Sequence, residues 1–289
     1  SRLRSSASGV VLMAAMAMPL NAAVGGEAVD QEEPPERVTI TATRIPTPIL
    51  EVPATVSVIT SQQIETNLVA DIKDLVQFEP GVSVRSAPYR ISAQASTGRG
   101  GNEGFNIPGL EGNRVLILTD GIRVPDAFDF GPQAVGRGDY VDLSLLKSVE
   151  ILRGPASALY GSDGLAGAVR FITKDPGEYL APDETWHAEA TVGASSADTS
   201  WTENVLAAFR SGRWEAMAAY TRRDGHETET KGDNDSANID RTTANPQDWE
   251  SNAVLGKIVF SPTDRHRLRL TYDHLDRMVD TDLLSAIAK

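Results

Sequence analysis

After Pro182 the sequence takes up a period of two. Trp186, Ala188, Ala190 and Val192 alternate with His187, Glu189, Thr191 and Gly193, and Leu268, Leu270 and Tyr272 alternate with Arg267, Arg269, Thr271 and Asp273. Successive side chains of a strand point to opposite faces, so each such segment has an apolar face and a polar one. Residues 201–210, 214–223 and 252–260 carry less clean versions of the same pattern. Strands of about 9–11 residues with two-faced chemistry are what a membrane β-barrel uses.

The separators between these segments are unequal. Ser211-Gly212-Arg213 joins one pair and "SPTDRH" another, whereas the polar "DGHETETKGDNDSANIDRTTANPQDWE" lies between them. Short turns alternating with long loops are the periplasmic and extracellular asymmetry of outer-membrane barrels. A soluble antiparallel sandwich has similar strands but no reason for that asymmetry. Five strands fall short of the roughly eight that close the smallest barrels, so the chain is expected to be truncated, with more strands to follow. No later apolar run reaches the roughly 20 residues of a spanning helix, which leaves strands as the means of crossing a membrane.

At the other end, Arg2 and Arg4 precede the apolar "GVVLMAAMAMPL" and the small-residue "NAA". This is the anatomy of a secretory signal peptide over residues 1–23; a short buried helix is the alternative. The formal charge of −13, from 27 basic and 40 acidic residues, argues against nucleic acid as a partner, because that binding draws on Lys and Arg. With no cysteine, the chain has no disulfide, Cys-zinc site, thiol nucleophile or Cys-ligated iron–sulfur cluster.

Residues 24–50 are rich in Pro and Glu, with Pro34, Pro35, Pro46 and Pro48, and are expected to be extended. Within them "RVTITATR" is dense in β-branched residues and is either a plain linker or a strand awaiting a partner edge. From residue 51 to about 176 the texture is that of an α+β domain with a small mixed sheet. "ATVSVIT" alternates as a strand, and Thr60 with Gln63 forms a capping-box pattern. Ile64, Leu68, Ile72, Leu75 and Val76 then follow one helix face, over one or two short helices. "NRVLILTDGIRV" is a hairpin with Asp120-Gly121 at its turn, "DLSLLKSVEILRG" a helical turn running into a strand, and "GAVRFITK" another strand. Residues 85–109 form a long Gly- and Ser-rich stretch, a surface-loop candidate.

The glycines of "ILRGPASALYGSDGLAG", residues 151–167, raise the question of a phosphate loop. Such a loop needs a Lys and Ser or Thr in register at the start of a helix; here a strand follows, so the glycines serve a tight fold after a helical turn at Pro155–Leu159. Glu150 and Arg153, at the preceding strand end, are either ion-pair partners of an enclosing wall or ordinary solvated charges. His187, His226, His266 and His274 form no H-E-x-x-H motif, and the acidic run around Asp233 and Asp235 lacks an EF-hand's ligand set. No nucleophile elbow or triad spacing is present, so an enzyme has little support. Arg137-Gly138-Asp139 is an incidental tripeptide.

Three of these motifs, in this order, resemble TonB-dependent outer-membrane receptors. "RVTITATR" is similar to the TonB box, "NRVLILTDGIRV" to the central hairpin of the plug, and "SVEILRGPASALYGSDGLAGAVRFITK" to the plug's C-terminal signature. "GPQAVGRGDYVDLSLLKSVEILRGPASALYGSDGLAG" and "DHLDRMVDTDLLS" look most like the haem and haemoprotein branch. The resemblance implies a signal peptide (1–23), a periplasmic extended segment with the TonB box (24–50), a plug domain (51–176) and the N-terminal part of a transmembrane β-barrel (183–289). It implies TonB-dependent import of haem or another iron-bearing ligand across the bacterial outer membrane, with a siderophore receptor or a non-transporting secreted binding module as alternatives. TonB, energised by ExbB and ExbD, would bind Arg37, Val38, Thr39, Ile40, Thr41, Ala42 and Thr43. Tyr89, Arg90 and Arg99 are the ligand-binding candidates, Glu150 and Arg153 the plug–barrel contacts. Haem or an iron chelate would be cargo, with no resident cofactor, no catalytic residue and no metal site, and outer-membrane lipid would surround the strands.

Overall fold

A computed structural model describes residues 39–40, 47–48, 55–84, 104–130, 133–135, 141–156 and 164–287. Strand β1 (Thr39–Ile40) pairs antiparallel with β2 (Thr47–Pro48). Strand β3 (Thr55–Thr60) follows and runs directly into helix α1 (Ser61–Thr66). The expected capping box is in place: Gln63 N–H donates to Thr60 Oγ1 at 3.3 Å, and Thr60 N–H donates to Gln63 Oε1 at 2.9 Å.

Helix α2 (Ile72–Leu75) is separate, opened by Asp71 accepting from Asp74 N–H at 2.7 Å. One expectation fails between the helices. Ile64, Ile72, Leu75 and Val76 are buried as the spacing predicts, but Leu68 is 85% exposed and adopts a φ of +50°. Helix α1 ends before it, so the chain turns there and the helical period is lost.

Short strands β4 (Ser83–Val84) and β5 (Phe105–Asn106) pair with each other. Strand β6 (Val115–Thr119) forms the expected hairpin with β7 (Ile122–Arg123). Asp120 and Gly121, at φ +49° and +84°, supply the two left-handed residues such a two-residue turn requires. A second small hairpin joins β8 (Phe128–Phe130) to β9 (Gln133–Val135). A 3-10 turn, Leu143–Leu145, leads into β10 (Leu146–Arg153), and β11 (Gly167–Thr173) closes the domain.

The resulting five-stranded sheet has the order β3-β10-β11-β6-β7. It is antiparallel except where β11 runs parallel to β6, so it is the small mixed sheet the sequence implies. Val115, Ile117, Val149, Ile151, Val169 and Phe171 fill its core at or near zero exposure. Gly167 is obligatory: a Cβ there would lie 2.1 Å from the Leu152 carbonyl oxygen across the β10–β11 ladder. That supports the backbone role expected of the glycine-rich stretch; residues 157–163 of it lie outside the described residues.

The second sheet is a meander of β12 (Trp186–Ser195), β13 (Ser200–Ser211), β14 (Trp214–His226), β15 (Gln247–Thr263) and β16 (His266–Thr281). Its strands are longer than the alternation alone suggests, and the polar loop between β14 and β15 shortens to residues 227–246. The register stacks residues in cross-strand rows. One row is Trp186, Phe209, Ala216, Ile258 and Leu270; the next is Ala188, Ala207, Ala218, Gly256 and Tyr272. These point away from the first sheet, and Trp186, Phe209, Ile258, Leu270 and Tyr272 are exposed. Toward the short-turn rim, Trp214 and Phe260 stack at 4.3 Å, as aromatic residues do at a membrane interface. From Phe260 to Val254 the apolar outer band of β15 is about 20 Å along the strand. No helix among the described residues is long and apolar enough to cross a membrane.

Candidate functional site

The inner face of the meander is where the two sheets meet. Leu206, Ala208, Met217, Ala219 and Leu255 point inward and bury Leu145 and Leu180, which flank the first sheet's last two strands in sequence. Around this apolar centre the inner rows of the wall place cations, and the plug-like sheet offers carboxylates.

Lys257 is the most deeply placed. Its side chain has no solvent exposure, and its ammonium lies 3.2 Å from Asp120 Oδ2, 3.2 Å from Asp175 Oδ1 and 3.2 Å from the Thr173 carbonyl oxygen. The ammonium donates to the Thr173 carbonyl and to Asp175, and Asp120 adds a second carboxylate as an ion-pair partner. Burying an unpaired charge costs several kcal/mol, so these partners are a condition of Lys257 being there. Asp120 in turn accepts from Thr173 N–H at 3.0 Å and Thr173 Oγ1 at 2.5 Å, so one carboxylate ties the hairpin turn to the end of β11 and to the wall.

Asp175 receives two further cations, Arg267 at 3.1 Å and Arg269 at 3.2 Å. Burial alone would raise its pKa, but Lys257, Arg269 and Arg267 outweigh that and hold the carboxyl below its ordinary range. Asp175 also opens the 3-10 turn Pro176–Glu178. There Gly177 lets the chain approach the wall closely, since a Cβ would meet the Glu215 carboxylate at 2.9 Å. Glu215 is held by Arg210 at 2.9 Å, and Arg210 Nη1 donates to the Ala181 carbonyl at 3.2 Å. The link between the sheets is therefore a bracket pinned along residues 175–181.

Farther along the wall, Arg223 Nη2 pairs with the buried Asp142 at 3.1 Å, and its Nη1 donates to the Ala70 carbonyl at 3.1 Å. Beside it Ser144 Oγ lies 3.4 Å from Thr221 Oγ1, which accepts from Asn204 at 2.7 Å. Tyr179 stacks on His187 with Lys174 over its ring, and burial, then the nearby Glu189, raises its phenol pKa.

Glu150 and Arg153, the expected plug–barrel contacts, have partners within the plug among the described residues. Arg153 points into its own sheet's surroundings: it pairs with Glu79 at 2.7 Å and donates to Ser57 Oγ at 2.7 Å and the Pro80 carbonyl at 3.1 Å. Glu150 pairs with Arg170 on neighbouring β11 at 3.1 Å. Strand β10 is flanked by β3 and β11, so charges at its end find partners there. The cations of the five described wall strands meet Asp120, Asp142 and Asp175. The signal for Lys257 was present in "AVLGKIVF", where it occupies the same phase as the inward Ala253, Leu255 and Val259.

Arg37, Val38, Thr41, Ala42, Thr43, Tyr89, Arg90 and Arg99 lie outside the described residues. Of the TonB-box candidates, Thr39 and Ile40 form β1. Among the described residues no His, Cys, Asp and Glu cluster could hold a metal ion.

A small mixed sheet seated by charge on the inner face of a wall that is apolar outside is the arrangement of a plugged outer-membrane barrel. Residues 48–168 match the TonB-dependent Receptor Plug Domain family. The chain belongs to the TonB-dependent receptors, proteins of the bacterial outer membrane. Among curated relatives it is 32% identical over 226 residues to a probable hemoglobin and hemoglobin-haptoglobin-binding protein 4 of Haemophilus influenzae, covering 74% of this chain and 22% of that protein. It is 31% identical over 182 residues to transferrin-binding protein A of the same species, covering 60% of this chain and 19% of that protein. The crystal structure of the siderophore receptor PirA from Acinetobacter baumannii superposes with a TM-score of 0.57 at 22% identity, covering 78% of this chain and 32% of that one. The chain thus spans about a fifth of the length of the curated relatives it matches.

Proposed function

We propose that this chain supplies the plug and part of the barrel of a receptor that imports haem, or iron in another bound form, across the outer membrane. The carrying observation is the plug itself: a folded sheet clasped on the inner face of the strand wall, where it would obstruct the lumen of a closed barrel. The sequence relatives, named for hemoglobin, hemoglobin–haptoglobin and transferrin binding, favour haem or protein-held iron over a siderophore. The siderophore receptors among solved structures support the fold. The domain bounds are 1–23 for the signal peptide, 24–50 for the periplasmic segment, 51–176 for the plug and 183–289 for barrel strands.

In this reading residues Arg37–Thr43 are offered to TonB, which takes them up by strand addition; the extended conformation of Thr39 and Ile40 in β1 supports this. ExbB and ExbD energise TonB, and the pull on the plug opens a path. Tyr89, Arg90 and Arg99 are the candidates for contacting the ligand. The protein is a transporter and not an enzyme, and haem or an iron chelate is its cargo, not its cofactor.

The test is growth. The receptor is expressed in an outer-membrane host lacking its own iron receptors, with haemin, haemoglobin or a ferric siderophore as sole iron source. Growth on haemin or haemoglobin supports the proposal; growth on the siderophore alone moves the cargo; growth on none of them overturns it.

A further inference from the structure

The outer face of the wall carries an apolar groove of about 600 Å³. Its floor is one cross-strand row, in which Ala207 pairs with Ala218 and Ala218 with Gly256. Strands β13, β14 and β15 are each paired on both sides, so this floor is complete within the described wall. Tyr272, the register partner of Gly256, closes one end, and Phe209 and Ile258 stand along the side nearer the short turns. The residues that alternate with the floor, Ala208, Met217 and Lys257, are buried on the inner face. The groove therefore opens away from the plug.

The packing of the wall does not require a bare floor at Gly256. A Cβ there would meet only the Tyr272 Cβ, at 4.0 Å, which is ordinary contact, and its φ is not in the left-handed region. A glycine inside a strand weakens it and marks a place where something else approaches closely. At Gly256 that approach comes from the membrane side.

The groove also has an entrance. Ala216 leaves a gap between its register partners Phe209 and Ile258, and through it β14 leads to Trp214, stacked on Phe260 at the short-turn rim. From Ala218 to Trp214 is about 13 Å along the strand. Beyond the rim, the two short turns hold Arg213, Arg265 and His266 against a single carboxylate, Asp264. Both arginines are exposed. Short turns lie on the periplasmic side of such barrels, so these cations stand at the level of the phosphates of the periplasmic leaflet.

We propose that the groove holds one acyl chain of a glycerophospholipid of the periplasmic leaflet, whose phosphate is bound by Arg213 and Arg265. The chain passes Trp214, enters over Ala216 and lies on the floor at Ala207, Ala218 and Gly256. Within hydrocarbon neither surface has water to lose, so the chain is held by contact. The headgroup adds charge-assisted bonds to the guanidinium groups, which single out a phosphate-bearing lipid. The assignment depends on the outer-membrane location and not on what the receptor imports.

Two measurements on the receptor test this. The first is native mass spectrometry of receptor extracted from outer membranes in mild detergent and washed free of bulk lipid, where one phospholipid per receptor should remain. Ala218→Leu with Gly256→Leu fills the floor with side chains that a lipid-facing wall tolerates, and should lower that occupancy at least about tenfold. Arg213→Ala with Arg265→Ala should lower it by a similar factor. Ala190→Leu, one row farther from the short turns on the same face, should leave it unchanged. Equal retention by all the variants, lipopolysaccharide retained in place of phospholipid, or no retained lipid overturns the proposal.

The second measurement leaves the chain unmutated, so it decides the matter even where a variant fails to fold. Receptor is placed in vesicles of phosphatidylethanolamine and phosphatidylglycerol, with a photoreactive group midway along one acyl chain of the phosphatidylglycerol. After irradiation, label should concentrate several-fold on the peptides holding Ala207, Ala218 and Gly256 over those holding Ala190 and Val192. Label spread evenly over the outer face overturns the assignment.

Discussion

Lys257 of the barrel wall forms an ion pair with Asp120 at the turn of a plug hairpin, 3.2 Å away, with its side chain wholly out of water. The residues are far apart in sequence and lie in different sheets. Their pairing, with Asp175 and the Thr173 carbonyl, makes the seat a polar bond set inside an apolar one.

Lys257→Met should therefore loosen the seat strongly. Removing one partner of a buried ion pair costs about 3–5 kcal/mol, because the remaining charges stay buried. The expected result is a lower denaturant midpoint for the plug, read by fluorescence or hydrogen exchange of 173–181, with the strand wall intact. A change under about 1 kcal/mol would mean that water reaches these carboxylates.

Asp175 sets the pH dependence of the same seat. Its folded pKa lies below its unfolded one, so its contribution is present above the unfolded value and lost as pH falls through the folded value. Plug retention should thus be flat from neutrality down to the ordinary carboxylate range, near pH 3.8, and decline only below it. Asp175→Asn should weaken retention at neutral pH and remove this component of the acid decline. Limited proteolysis of the plug across a pH series distinguishes the two.

Gly167→Ala should disrupt the plug sheet. The added methyl would sit 2.1 Å from the Leu152 carbonyl oxygen, a clash with backbone that no rotamer relieves. Overpacking costs about 1–3 kcal/mol or more where the backbone must move. Increased protease sensitivity of β10 and β11 is the expected readout.

Thr60→Ala removes one half of the α1 capping box. The cost is about 1 kcal/mol and local: exchange should rise in α1 and the end of β3, with β11 unaffected.

Deleting residues 37–43 should abolish growth on haemin or haemoglobin without changing the amount of receptor in the outer membrane. Unchanged growth would refute the coupling assigned to that segment.

Much of the architecture was legible in the chain because it is written locally. The capping box at Thr60 and Gln63, the Asp120-Gly121 turn and the two-residue alternation after Pro182 each involve neighbours in sequence. The break at Leu68 was not, since a helix face continued on paper where the chain leaves the helix. The seat was least legible of all. Glu150 and Arg153 drew attention as charges at a strand end, yet which charge meets which wall depends on how two sheets dock, and that is fixed by Leu145 and Leu180 finding the apolar rows of the wall.

The pinned bracket at residues 175–181 bears on how such receptors can be recombined. Asp175, Gly177 and Ala181 are each fitted to a particular wall side chain, respectively Lys257, Glu215 and Arg210. The two domains are thus poor building blocks for chimaeras joined at the apparent boundary. A plug transplanted into another barrel would have to bring Lys257, Arg267, Arg269, Arg210 and Glu215 with it, or arrive without a socket.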